Sequence, residues 1–415
     1  MQPRRFRVVA LAVGAALALL RTAPAAQFGP RSLPTVVVTN GDAAVAEAVV
    51  SVPLPASVVG ESFLVRGEDG EAVVAQWMRD RTLAFTVREL APGEVRRLRL
   101  EPALDRKVVG PIVAHERFDG VDLSIDGQPV ASYQTQPAPP LAGDGGPRVG
   151  RGGYLHPLRT PAGRVVTDDD VPSHPDQRGL WSAWGPTRVD GRTPDFWQAS
   201  RGSGAVEFEG VLEAWSGPVV AGFRARHRAV DRTVRPPLTA ETETWTVTLP
   251  ALGRVGPRHR VLDLAIRHEV VLSRPIVVAA AAYGGIGLRG PRAWSGGTGM
   301  AVITSEGRTR RNASRSRARW VAVAGLVGGA TAGVAVLDHP DNFRHPQPLF
   351  VDGGQPFVSY AAMQSGPITL TMDRDLVLRY RIVTFDGFPD RAWLERLWQA
   401  YAHPPRATIE LAPRQ

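Results

Sequence analysis

Three short segments contain most of the side chains that could do chemistry, and each places a histidine directly before a proline. These segments are residues 154–163, 173–198 and 338–346, and the histidines are His156, His174, His339 and His345. A residue that precedes proline is held extended, which fixes its side chain on a loop or strand, and loops often carry functional groups. We therefore predict that these segments form a functional site. A histidine that only ends a strand and bonds a loop carbonyl would show the same pattern.

The middle segment is the densest of the three. It combines polar and aromatic side chains, namely His174, Asp176, Gln177, Arg178, Asp190, Asp195, Trp181, Trp184 and Trp197. The C–H face of a sugar stacks on indole, and its hydroxyls need paired donors and acceptors. This composition favours carbohydrate recognition, and buried Arg–Asp pairs with a structural role are an equal alternative. A His–Asp pair also suits acid–base catalysis.

The histidine spacing gives no support to a metal site, because the sequence contains neither an HxH nor an HExxH pattern. We therefore expect no metal ligands and no cofactor. The chain also contains no cysteine, so no thiol can act as a ligand or nucleophile and no disulfide can form.

The elements that position these segments are predicted to be strands. Residues 34–103 alternate in short β-like pieces separated by turn signals, which is typical of a β-sandwich module. After residue 205 the alternation resumes. Glu241, Glu243 and Trp245 share one side of a strand and threonines the other, which indicates an antiparallel sheet with one solvated face. The predicted fold class is mainly β: a large antiparallel β-sandwich with a smaller N-terminal β-sandwich module and a C-terminal helix.

An uncharged segment and one helical pattern complete the fold prediction. Residues 321–337 carry no charge, but the central Gly328-Gly329 predicts a turn between two strands rather than a membrane helix. Residues 391–401 place large apolar side chains on one face, so this helix is predicted to cap a sheet. The predicted domains are a signal peptide (1–26), an N-terminal module (27–108), a main β domain (109–388) and a helix with a tail (389–415).

The amino terminus and the charge indicate a compartment. Residues 1–26 combine arginines, an apolar run and an Ala-Pro-Ala sequence, which predicts a cleaved secretory signal peptide. Without a lipobox cysteine, the mature chain is expected to be periplasmic or secreted, with no integral membrane association. The net charge of +9 comes from arginine, since Lys107 is the single lysine. The arginine-rich residues 308–319 lack interleaved aromatics and a recognition helix, so no nucleic-acid partner is expected.

The order of the motifs resembles the PmoA-like family of bacterial proteins. The resemblance rests on PLRTPAGRVVTDD, HPDQRGLW, DGRTPDFW, YGGIGLR, LDHPDNFRHP and LVLRYRIVTFDG, which follow one another between residues 150 and 388. The similarity implies a carbohydrate-handling fold like the galactose-mutarotase supersandwich. The family's name refers to a methane oxygenase, which is an integral membrane protein, so a metal oxygenase is the least favoured function. Ser173, Asp176 and Trp184 stand where the family has an aspartate and two histidines.

The leading hypothesis is a carbohydrate-active protein that isomerises, hydrolyses or eliminates a sugar or sugar derivative. A non-catalytic module that binds a glycan or another partner is the alternative. The predicted catalytic residues are His174, Asp176, Arg178, His339 and His345. His174 would be the general acid or base, oriented by Asp176 or Asp195, and Arg178 would hold a substrate oxygen. The predicted substrate-binding residues are His156, Gln177, Trp181, Trp184, Asp195, Trp197, Arg289 and Asn342, with Trp181 and Trp197 stacking on the sugar.

Overall fold

The computed structural model describes residues 33–58, 62–103, 110–136, 151–169, 171 and 173–411. The predicted signal peptide, residues 1–26, lies outside these ranges. Within them the chain is mainly β, with antiparallel sheets and one α-helix, which confirms the predicted fold class. The strands are β1 (Thr35–Thr39), β2 (Val45–Pro53), β3 (Phe63–Arg66), β4 (Ala72–Trp77), β5 (Thr82–Leu90), β6 (Val95–Pro102), β7 (Ile112–Arg117), β8 (Gly120–Ile125), β9 (Gln128–Gln134), β10 (Tyr154–Leu158), β11 (Leu180–Ala183), β12 (Thr187–Val189), β13 (Gly204–Trp215), β14 (Val220–Asp231), β15 (Leu238–Pro250), β16 (His259–Val270), β17 (Ile276–Val278), β18 (Gly285–Arg289), β19 (Ala301–Thr304), β20 (Trp320–Val327), β21 (Ala330–Asp338), β22 (Leu349–Val351), β23 (Phe357–Tyr360), β24 (Ile368–Leu370), β25 (Leu376–Asp386) and β26 (Arg406–Glu410). The helix is α1 (Arg391–Ala402).

Both ends of the described chain build the smaller module. Its seven strands lie in the order β2-β5-β4-β3-β6-β1-β26. The edge strands β2 and β26 lie side by side, so the sheet curls around an apolar core of its own. Strand β26 pairs antiparallel with β1, from Thr35 opposite Glu410 to Thr39 opposite Arg406. The segment predicted as a helix and tail therefore also contains a strand that joins the N-terminal module.

Two eight-stranded antiparallel sheets form the large sandwich. The first sheet runs β22-β23-β18-β11-β10-β9-β8-β7, and the second runs β13-β14-β15-β16-β25-β21-β20-β19. Strands β12, β17 and β24 form a small third sheet. One large apolar cluster fills the space between the two large sheets. In β15, Trp245 and Val247 are buried while Thr246 and Thr248 are half-buried, because successive strand residues point to opposite faces.

The uncharged segment forms the predicted hairpin. Strands β20 and β21 pair antiparallel, with Val327 opposite Ala330. The two residues between them, Gly328 and Gly329, have φ values of 58° and 82°. Positive φ at both central positions is what a two-residue hairpin turn of type I′ requires. Among the described residues, no helix has the length and apolar character needed to cross a membrane.

Helix α1 caps the outer face of the second sheet, as the sequence predicts. The carboxylate of Asp390 accepts a hydrogen bond from the Trp393 N–H at 2.6 Å, which satisfies one of the free donors at the helix start. Trp393, Leu394 and Trp398 are buried against strands β20, β21 and β25. Ala400 reaches the core of the N-terminal module, so the helix links the two bodies of the chain.

Candidate functional site

The first two predicted segments meet on the outer face of the first sheet. Leu155, Leu180 and Leu288 are paired across the adjacent strands β10, β11 and β18 and belong to the sandwich core. Because side chains alternate along a strand, the neighbouring Trp181 and Arg289 point to the opposite face. Loops between β10 and β11, and after β12, cover that face.

Aromatic side chains form the floor of this face. We call the set the aromatic floor; it consists of Tyr154, Trp181, Trp197, Tyr283, Phe350 and Phe357. Trp181 stacks on Phe357 with ring centroids 5.5 Å apart and tilts against Trp197 at 5.0 Å. All three rings lie 3.1 Å from the position of a Cβ on Gly287, so a side chain there would push at least one ring aside. The ring faces of Trp181 and Trp197 are thus covered by other aromatic rings rather than open for stacking on a sugar.

A buried ion pair lies beside the floor. The guanidinium of Arg178 donates to Asp169 at 2.9 Å, and both side chains are almost fully buried. The Tyr154 hydroxyl donates to the second carboxylate oxygen of Asp169 at 2.7 Å. Arg178 therefore anchors the loop that carries Asp169, which is a structural role. Its predicted role of holding a substrate oxygen stays a prediction.

Arg289 extends the polar layer from the end of β18. Its side chain is 1% exposed. It donates to the carboxamide oxygens of Gln177 at 2.8 Å and Gln355 at 3.0 Å. Burial lowers the pKa of Arg289, against the attraction of Asp168 and Asp352. The sequence prediction placed Gln177 and Arg289 at the site, and the structure brings them into direct contact.

His156 is the histidine of this face. It is half-buried, and its Nδ1 lies 2.9 Å from the hydroxyl of Thr167. Burial lowers the pKa of His156, although Asp169 and Asp168 pull it upward. The imidazole is therefore neutral at pH 7. We call this whole set the outer-face cluster; it consists of His156, Asp168, Asp169, Gln177, Arg178, Arg289 and Gln355.

The carboxylates expected to orient His174 have other partners. Asp176 accepts hydrogen bonds from the backbone N–H and the hydroxyl of Ser200 at 3.0 and 2.6 Å. Asp195 accepts from the N–H groups of Trp197 and Gln198. The Nδ1 of His174 lies 2.9 Å from the hydroxyl of Ser173. The predicted dyad of His174 with either carboxylate is therefore not the arrangement found between these residues.

Trp184 also departs from its predicted place. It is 3% exposed and belongs to the sandwich core, where its ring lies 4.8 Å from the ring of His268. A side chain in that position cannot line the outer face, so its predicted contact with substrate needs correction.

The third predicted segment packs around α1 instead of joining the first two. Asp338 accepts from the amide of Asn342 at 2.7 Å and lies 2.8 Å from Nδ1 of His345. The His345 ring stacks on Trp398 of the helix. His339 meets Tyr401 edge-on. These contacts give His339, Asn342 and His345 a structural setting at the junction of β21, α1 and β25.

Sequence reasoning missed a set of ionisable groups inside the sandwich. We call it the core ion network; it consists of Arg151, His227, Glu241, Glu243 and His268, all 4% exposed or less. Arg151 donates to Glu243 at 2.6 Å. His268 Nδ1 lies 2.5 Å from Glu241. The alternation of Glu241 and Glu243 with threonines placed both carboxylates on the face of Trp245, which was the available signal.

Members of the core ion network shift one another's pKa values. Burial raises the pKa of Glu243, but Arg151, His227 and His268 lower it overall, so it is ionised. Burial lowers the pKa of His268, but Glu241 and Glu243 outweigh it and raise this pKa above its ordinary value. Burial keeps His227 neutral by lowering its pKa. The carboxylates of Glu241 and Glu243 thus lie against the guanidinium of Arg151 and the imidazole of His268.

The same residues have the donor set of a metal site. The ligand atoms of Glu241, Glu243 and His268 lie within 4.8 Å of one another, and imidazole with carboxylates suits a divalent ion. However, one oxygen of Glu243 already accepts from Arg151 and from the Trp245 indole at 2.6 Å each. A divalent ion would also place positive charge beside the guanidinium of Arg151, which already bonds Glu243. We therefore interpret the network as structural ion pairs.

Comparison with known proteins yields one family. The model of a family of unknown function, DUF6807, matches residues 120–399. No curated protein matches the chain. The resemblance to the PmoA-like family is therefore wrong, because the matching model is a different one and nothing else indicates that family. All of the motifs quoted for that resemblance lie within the matched range, residues 120–399.

Proposed function

The chain belongs to the family of unknown function DUF6807, and we propose that it is an exported protein whose outer-face cluster binds a carbohydrate. The observation that carries this proposal is the group of half-buried donors and acceptors on one sheet face, beside an aromatic floor whose rings pack on one another. His156, Asp168 and Gln177 are half-buried and so remain open to a ligand.

The chemistry of a saccharide fits such a mixed set of groups. Each hydroxyl donates one hydrogen bond and accepts others, so a binding site needs carboxylates and amides together. Asp168 supplies acceptors, the NH₂ group of Gln177 supplies donors because its oxygen accepts from Arg289, and His156 offers its Nε2 because its Nδ1 contacts Thr167. The buried arginines Arg178 and Arg289 hold the covering loops in place. Preorganised polar groups of this kind lower the cost of binding a ligand.

Catalysis on the bound sugar is the second candidate, and His156 supports it. Its imidazole is neutral, half-buried and fixed by Thr167 at Nδ1, so it can take a proton at neutral pH. His174, the acid–base residue expected from the sequence, lies on the same covering loop. Isomerisation and elimination begin with proton abstraction by such a base, whereas hydrolysis also needs a group that donates a proton to the leaving oxygen.

Binding and product analysis test both candidates. The full chain is screened against a glycan array, and bound saccharides are incubated with it and analysed by mass spectrometry. His156→Ala should weaken binding roughly tenfold, the effect of about 1.4 kcal/mol of lost contact. His115→Ala, on an exposed site of β7, is the matched control and should bind normally. Binding without a new product supports a module, and failure to bind any saccharide rejects the carbohydrate proposal.

A further inference from the structure

Arg289 differs from the other deeply buried arginines of the described chain. Arg151, Arg178 and Arg289 are each 3% exposed or less. Arg151 bonds the carboxylate of Glu243 at 2.6 Å, and Arg178 bonds that of Asp169 at 2.9 Å. None of the described carboxylates lies within ion-pair distance of Arg289, whose partners are two neutral amides.

The nearest carboxylates are already engaged. Asp168 lies 3.4 Å from Arg292 and accepts from the Asp169 N–H at 2.9 Å. Asp352 accepts from the N–H groups of Gly354 and Gln355 at 2.8 and 2.7 Å. Their charges act on Arg289 from a distance only. A buried charge without a counter-charge destabilises the folded state, so a purely structural role does not explain this guanidinium.

The guanidinium fixes the direction of both amides. It carries donors only, so it must face the oxygens of Gln177 and Gln355. Their NH₂ groups then point away from it, and neither donates to a protein acceptor within the described residues. The Nε of Arg289 is buried and lacks a partner there, as does Nη1 of Arg151, so the donors open to a ligand are the two NH₂ groups. The result is a set of unused donors backed by a positive charge.

The backbone holds this donor set in place. The Arg289 N–H donates to the carbonyl of Gly179 at 2.7 Å, and the Arg289 carbonyl accepts from the Asp168 N–H at 3.0 Å. These two bonds join the end of strand β18 to the segment of Gln177 and Gly179 and to the segment of Asp168. Rigid support of this kind is typical of a binding site rather than of a mobile surface.

We infer that the ligand of the outer-face cluster carries a carboxylate, which accepts from the amides of Gln177 and Gln355 while Arg289 supplies the counter-charge behind them. A carboxylate has two acceptor oxygens and no donor, which complements the donor set, and charge-assisted bonds of this kind are the strong ones. The inference rests on the proposed carbohydrate site and names its substrate class: sugar acids such as uronates and the oligosaccharides built from them.

Calorimetry with paired ligands tests the inference on the full chain. The probes are galacturonate and glucuronate oligosaccharides, the matching galactose and glucose oligosaccharides, and succinate as a carboxylate without a sugar ring. We expect the acidic saccharides to bind at least roughly tenfold more tightly than the neutral ones. This preference should fall as salt is added, because added ions screen the charge.

Isosteric variants place a carboxylate where the ligand's charge would act. Gln177→Glu and Gln355→Glu each give Arg289 the counter-ion that Arg151 and Arg178 already have, so the fold should keep its Tm. Each should lower the affinity for acidic saccharides at least roughly tenfold. Gln128→Glu makes the same charge change on an exposed residue of β9 and should leave that affinity unchanged.

The outcomes separate this inference from the proposal beneath it. Equal binding of neutral and acidic saccharides overturns the carboxylate inference and leaves the carbohydrate site standing. Binding of succinate as tight as that of the uronates overturns the carbohydrate site and keeps the carboxylate. If no probe binds, both fail. Unchanged uronate affinity in both glutamate variants also overturns the inference.

Discussion

The core ion network and the outer-face cluster both combine arginine, histidine and carboxylate side chains, but they differ in how the charges are paired. In the network, Arg151 and His268 each meet a carboxylate within 2.6 Å, and every member is buried. In the cluster, Arg289 meets only amides, and His156 is half-buried. A closed set of charges can stabilise a fold without further partners. Both regions keep polar atoms without a hydrogen-bond partner, since Arg151 Nη1 and His268 Nε2 also lack one among the described residues. The regions therefore differ in counter-charge and exposure, because Gln177 and Gln355 of the cluster are half-buried and can reach a ligand.

Removing one arginine from each region should separate them most widely. Arg151→Met leaves Glu243 buried without its main counter-charge, and breaking a buried pair in this way costs about 3–5 kcal/mol. Arg289→Met strands no carboxylate, and its two half-buried glutamines can bond water. Its cost should stay below about 2 kcal/mol. Urea denaturation measures both, and equal losses would contradict the distinction between the regions.

A change in the third predicted segment should lower the free energy of unfolding, as a change in the core ion network does, and should leave saccharide affinity unchanged. Asp338 is fully buried and accepts from Asn342, the Gln347 N–H and His345. Asp338→Ala leaves these donors unsatisfied, at a cost of about 1–3 kcal/mol. Its saccharide affinity, measured below the unfolding transition, should equal that of the wild type. A selective loss of affinity would return this segment to the binding site.

Local patterns were enough to predict most elements. The alternation in β15, the glycine pair before β21 and the apolar stripe of α1 each depend on nearby residues only. Strand β26 is different, because its pattern is short and half-exposed and its partner β1 lies at the other end of the chain. Pairing over such a distance leaves no local signal, so the strand was missed.

The candidate site was only partly predictable, because its residues are brought together by strand pairing between distant parts of the chain. The His–Pro pattern indicates extended backbone but not where that backbone lies, so it grouped His345 with His156 although they are in different places. Gln177 and Arg289 were both chosen for their chemistry, and their contact depends on the pairing of β11 with β18. Glu241 and Glu243 shared a face with Trp245, yet Arg151 comes from a distant segment.

The two regions should also respond to pH with opposite signs. The pKa of His268 is raised, so its stabilisation is full below the unfolded value near 6.5 and is lost as pH rises through the folded value. The pKa of His156 is lowered, so its contribution is present above 6.5 and is lost as pH falls. Each effect is at most about 1.4 kcal/mol per pH unit for one proton.

Single variants isolate these contributions. The difference in unfolding free energy between wild type and His268→Gln should shrink from pH 6 to pH 9, and that for His156→Gln should shrink from pH 7 to pH 5. Urea denaturation at each pH supplies the values. A metal ion held by Glu241, Glu243 and His268 would require a neutral imidazole, so the His268 difference would then grow with pH.

The smallest expected effect is the loss of an exposed ion pair, which shows how burial affects pair strength when the contact distance is the same. Arg267 and Asp375 are 2.6 Å apart, the same separation as Arg151 and Glu243, but their side chains are 53% and 36% exposed. Water screens such a pair, so Asp375→Asn should cost less than about 1 kcal/mol, and less still at high salt. Urea denaturation at two salt concentrations checks this. A loss as large as that of Arg151→Met would show that contact distance rather than burial decides the strength of these ion pairs, and the contrast between the two regions would lose its physical basis.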